Sequence, residues 1–150
     1  MDWDTDLEHD FPGLRDGGYL ITSPVDVTYN CMAWAVGDTK YFWDDVGARG
    51  YYWPPGISAD TLAGWVEVFR YHGYGYADNA SFESDFEKIA IYAVEDEPRH
   101  VARQKSSGSW SSKMGKGHDI EHPLALIEGE LYGKVAVIMK RICNGRRVFE

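Results

Sequence analysis

The chain predicts an α+β domain, helices first and a mostly antiparallel sheet afterwards, and three observations carry that expectation. Leu62, Trp65, Val66 and Phe69 recur at the spacing of one buried helical face. From Lys88 onward the pattern shortens to strand-like runs. Between those runs stand turn signals, Ser106-Ser107-Gly108-Ser109 above all. At 150 residues the chain makes one domain, with a single core that N-terminal helices share with a small sheet.

Residues 1–18 are acidic and turn-rich and read as an arm laid over that domain. Tyr19–Thr22 is a short extended piece, broken at Ser23-Pro24 because the residue before proline avoids helical angles. A short helix follows over Cys31–Val36, with Asn30 as N-cap and Gly37 as stop. The connection Thr39–Gly56 is aromatic and has no helical period. Ser58 caps the clearest helix, Ala59–His72, which Gly73 ends. Lys88–Val94, His100–Gln104 and Trp110–Met114 are expected strands, the last two paired around Ser107-Gly108. Pro123–Ile127 reads as a short helix or turn and Val135–Arg141 as a final strand.

The net charge of −9 argues against a nucleic-acid partner, which asks for a basic face. The two cysteines, Cys31 and Cys143, are too few and too far apart for a disulfide framework. No apolar run reaches membrane-span length, and no basic-then-apolar leader stands at the N-terminus. The expectation is a cytoplasmic protein, with leaderless export left open, and no membrane partner.

Function is signalled by chain order. Cys31 falls where a helix begins, so unpaired N–H groups and the helix dipole should lower its pKa towards a thiolate. His100 opens a strand whose one face carries His100, Ala102 and Gln104, and small Ala102 would leave room for the cysteine-bearing helix there. Asp119 is the carboxylate nearest the end of the following hairpin, placed either to orient His100 or to cap the next turn. Cys31 as nucleophile, His100 as base and Asp119 as orienting group make a thiol hydrolase. Tyr29, Asn30 or the Cys31 backbone N–H would serve the oxyanion, with Lys113 and Trp53 on the substrate side.

The phrases Tyr29-Asn30-Cys31-Met32-Ala33-Trp34-Ala35 and His100-Val101-Ala102-Arg103-Gln104, with Trp110 to Gly115 and Asp119 to His122, resemble the compact bacterial papain-like amidases of the NlpC/P60 and CHAP kinds. They also resemble a group of poorly characterised bacterial proteins of this length. The resemblance implies a papain-like fold, no cofactor, and a protein or peptide substrate cleaved or transferred at an amide bond, in the manner of small effector or toxin domains. It departs from papain in lacking a glutamine in Ser23–Thr28. Two rival readings stand beside it. One is a non-enzymatic adaptor or immunity-type module that meets a protein partner through the aromatic loop Tyr41–Trp53. The other is a zinc hydrolase built on His118 and His122, four apart.

Overall fold

The computed structural model describes residues 8–15, 17–23, 30–35, 41–44, 49–114 and 119–143. Its elements are β1 (Leu20–Ser23), α1 (Cys31–Ala35), β2 (Phe42–Trp43), β3 (Tyr51–Tyr52), α2 (Leu62–Tyr71), β4 (Gly75–Tyr76), β5 (Phe86–Val94), β6 (Glu97–Gln104), β7 (Trp110–Lys113), β8 (Asp119–His122) and β9 (Lys134–Ile142). Short 3-10 turns cover Pro12–Leu14 and Leu124–Ile127.

Seven strands form one sheet in the order β1-β8-β7-β6-β5-β9-β4, with every neighbouring pair antiparallel. The α+β class therefore holds, but the sheet dominates, and the expectation of a small sheet carrying helices is corrected. The reason lies in β8, where the sequence offered a cap or turn. Asp119–His122 instead pairs with both β7 and β1 and extends the sheet.

Two apolar clusters occupy the two faces of this sheet. Met32, Ala33, Ala35, Val66, Val68 and Phe69 from the helices pack with Ile89, Ile91, Val101 and Met139. On the opposite face Ala90, Tyr92, Ala102, Trp110 and Ile120 meet Phe11, Leu14 and Ile127. Covering both faces is what buries β5 almost continuously and makes its Ile89–Val94 stretch apolar without alternation.

α2 is shorter than its expected span. Thr61, not Ser58, is the N-cap, its Oγ1 accepting the Gly64 N–H at 3.0 Å. Ser58 Oγ instead accepts from the Asp60 N–H at 3.2 Å and holds the turn before the helix. Val66, Val68 and Phe69 are buried, whereas Leu62 and Trp65 are only half-buried at the rim. The helix is tied to the β5–β6 hairpin by the Leu62 N–H, which donates to the Asp96 carbonyl at 3.0 Å. That two-residue turn puts Glu95 at φ +54°, the left-handed geometry a tight hairpin requires. Among the described residues, no helix is long and apolar enough to cross a membrane.

Candidate functional site

Asn30 organises the start of α1. Its Oδ1 accepts the Ala33 N–H at 3.1 Å, the expected N-cap bond, and also the Trp43 N–H at 3.1 Å. Its Nδ2 donates to the Trp43 carbonyl at 2.8 Å. These three bonds join α1 to β2 and use one of the two Nδ2 protons. Tyr29, the other side chain suggested for the oxyanion, lies outside the described residues.

Cys31 follows and is half-buried. Burial pushes its thiol up to about 11, while the backbone N–H groups of Val101, Met32 and Cys31 itself pull in the opposite direction. The expected low-pKa thiolate is therefore corrected: desolvation outweighs the helix start, because a five-residue helix packed on a sheet leaves the sulfur little water.

α1 packs on the Val101 and Arg103 side of β6, not on the side of His100 and Ala102. Arg103 Nη1 donates to the Trp34 carbonyl at 2.9 Å and its guanidinium lies 3.6 Å over the indole. Trp34 Nε1 also donates to Ser111 Oγ at 3.2 Å, fixing the helix to β7. Both faces of β6 are buried, so its pattern alone did not say which one the helix would choose. Cys31 and His100 thus approach β6 from opposite faces, at neighbouring positions along the strand. The Val101 N–H that faces the thiol belongs to the residue after His100. The β6–β7 ladder, recorded at Arg103↔Ser111 and Gln104↔Trp110, does not extend to that level.

His100 is buried, and neither ring nitrogen has a hydrogen-bond partner among the described residues. Burial, helped by the nearby His122, holds its pKa well below the usual histidine range and keeps the ring neutral. Asp119 does not orient it. Asp119 is buried in β8, two strands away, opposite Lys113 and on the α1 side of the sheet. It is not a helix cap either, since it begins a strand. Lys113 is likewise buried on that side.

His122 lies in a strand, so the helical spacing that suggested zinc is overturned at its second member. Its Nδ1 donates to the Pro123 carbonyl at 2.8 Å, which leaves Nε2 to accept from Ser112 Oγ at 2.6 Å. Both nitrogens are occupied, and burial lowers the ring's pKa to about 4. His118 lies outside the described residues, and no group of three or more potential metal ligands is found among those described. Trp53 packs against the first core and donates Nε1–H to the Ile57 carbonyl at 2.8 Å, a framework role. In the aromatic loop Trp43 is buried and Tyr52 packs against the same core, leaving Tyr41 and Tyr51 exposed.

A family model described as "Domain of unknown function (DUF7689)" matches residues 20–140, from β1 into β9. The chain belongs to this family. No curated protein and no solved structure matches it.

One residue of this DUF7689 domain that sequence reasoning missed is Tyr132. Its ring is stacked on His100 with centroids 4.1 Å apart and planes 4° from parallel. Tyr92, opposite His100 across the β5–β6 ladder, closes on the imidazole at 5.6 Å. Tyr132 also senses Cys31: after burial, negative charge at the thiol is the next cause raising its pKa. The signal available in sequence was slight, a tyrosine in a turn between Gly129 and Gly133. A hollow of about 720 Å³ lies beside that turn, lined by Ala93, Val94, Glu95, Glu128, Glu130 and Lys134 among others.

Proposed function

We propose that this DUF7689 domain is a cysteine-dependent hydrolase or acyl transferase of the papain-like type, acting on an amide bond of a protein or peptide. The observation that carries the reading is the state of His100, a buried imidazole with neither nitrogen bonded among the described residues, next to the residue whose N–H faces the thiol. Leaving a buried polar atom unpaired costs about 1–3 kcal/mol, and a group kept in that condition calls for a reason beyond packing. A neutral imidazole waiting for a proton supplies one.

With the thiol and the imidazole both neutral at rest, Cys31 is activated by a base at the moment of attack and not by a standing thiolate. The Sγ proton passes to a nitrogen of His100 as the sulfur–carbon bond forms. The carbon–nitrogen bond then breaks, and the amine leaves with the proton returned by His100. Water, deprotonated by the same imidazole, hydrolyses the thioester and releases the acid, or a second amine takes its place in a transferase. The Cys31 backbone N–H and the second Nδ2 proton of Asn30 are the oxyanion donors of this reading. The Cys31–His100 hydrogen bond that the proton transfer requires is not formed in the free protein and would have to form when substrate binds.

The raised thiol pKa favours a second reading, a non-catalytic interaction module in which Cys31 only packs. One experiment separates the two. An amide-based activity probe that labels the unsubstituted protein at Cys31, and fails on His100→Ala of equal thermal stability, supports the enzyme. Equal labelling of both proteins supports the module.

A further inference from the structure

We infer that Tyr132 is the positioning residue of the proposed site, its ring fixing the plane of the His100 imidazole as a hydrogen-bonded carboxylate would in a triad. The inference rests on the hydrolase reading and replaces the orienting role assigned to Asp119.

Among the described residues no polar contact stops the His100 imidazole turning about its ring torsion. Two aromatic rings do so here. Tyr132 lies flat on one side at 4.1 Å, and Tyr92 closes the neighbourhood at 5.6 Å with planes 55° apart. Each is itself held. Tyr92 donates its hydroxyl to the Leu124 carbonyl at 2.7 Å, and Phe11 packs on Tyr132 at 4.6 Å. The turn that delivers Tyr132 is clamped by reciprocal bonds, Gly129 N–H to Gly133 O at 3.0 Å and Gly133 N–H to Gly129 O at 2.8 Å. Gly133 has φ +73°, and a Cβ there would stand 2.1 Å from the Ala93 carbonyl, so the turn is seated directly against β5.

Orientation by stacking also differs chemically from orientation by a carboxylate. A carboxylate occupies one ring nitrogen, whereas a stacked ring leaves both in-plane positions free. That is the condition observed for His100. A contact of this kind biases ring orientation by roughly two- to tenfold.

The test uses the full chain with Cys143→Ser, so that Cys31 is its single thiol, and iodoacetamide as probe at about pH 7.5, where a thiol of raised pKa depends on a neighbouring base. Alkylation of Cys31 is followed by intact mass. His100→Ala should slow it by at least about tenfold, as loss of a general base does. Tyr132→Leu should slow it by roughly two- to tenfold, and Tyr132→Phe, which keeps the stacked ring, should restore the original rate. A rescue by Phe is not expected of a change that merely loosens the fold. If His100→Ala slows alkylation while Tyr132→Leu does not, the positioning role is overturned and the hydrolase reading stands. If His100→Ala changes nothing, the hydrolase reading falls and the inference falls with it. A measurement on the unsubstituted protein guards against variants that do not fold. The His100 ring protons should resonate upfield from the Tyr132 ring current, and unshifted resonances would overturn the inference.

Discussion

The thiol of Cys31 offers the sharpest quantitative expectation. Its pKa of about 11 leaves about one molecule in a thousand as thiolate at about pH 8, against about one in four for an ordinary cysteine near ~8.5. With Cys143→Ser, and with His100→Ala to remove base assistance, alkylation of Cys31 at that pH should run roughly 200-fold slower than that of an ordinary thiol. The rate should climb tenfold per pH unit and level off near 11. Stability carries the same signature with a definite sign. The folded-state pKa lies above the unfolded one, so the unfolded chain loses its proton first as pH rises. The native state should therefore lose stability between pH 9.0 and about 11, by up to about 3 kcal/mol. Urea unfolding across that interval, compared with Cys31→Ala, isolates the contribution. An alkylation profile that levels off near 8.5 or below would refute the view that burial governs this sulfur.

Other outcomes follow from the same contacts. His122, at about 4 in the folded state against 6.5 ordinarily, should contribute stability that is complete above pH 6.5 and lost as pH falls towards 4, about 3 kcal/mol in all. His100 adds loss in the same direction, and a urea midpoint unchanged from pH 7 to 4.5 would contradict both assignments. Phe69→Ala removes a fully buried ring from the first core and should cost roughly 3–5 kcal/mol in chemical denaturation. The half-buried Trp65 should cost less when truncated. Asp119→Asn should leave the pH profile of Cys31 alkylation in place, since Asp119 is not bonded to His100; a displaced profile would restore the carboxylate to the site.

The legible parts of the fold were those where period and punctuation agree. α2 announced itself through Val66 and Phe69, and the β6–β7 hairpin through Gly108, which adopts φ +91° where the turn requires it. Asn30 was legible as a cap, and it caps. β8 was not, because four residues beginning with aspartate look like a helix start until strands on both sides pair with them. The position of the candidate residues was half legible. Alternation along β6 separated His100 from Val101 correctly, but with both faces buried nothing local chose the face for α1. Whether burial or the helix start would set the Cys31 pKa depended on that packing. Tyr132 was hidden for a simpler reason: it reaches His100 from 32 residues away through a turn without a motif.

The pairing of Leu20 with Glu121 joins residues about a hundred positions apart, whereas β5, β6, β7 and β8 follow one another through short turns. Closing so long a loop costs entropy that local hairpins avoid, and contacts of high sequence separation slow folding. The order of assembly follows from this difference. The meander that carries His100 and His122 is expected to form its ladders early, and β1 to dock on β8 late. α1 lies in the chain beyond β1 and has its own anchor on the finished β6–β7 surface, through Trp34 and Arg103. Cys31 should thus reach its place on β6 after His100 is set in the ladder, so the two halves of the candidate site are expected to mature on separate clocks. Substitutions around His100 should act on the folding rate, whereas those at Trp34 should chiefly change the unfolding rate, the partition expected of early and late contacts.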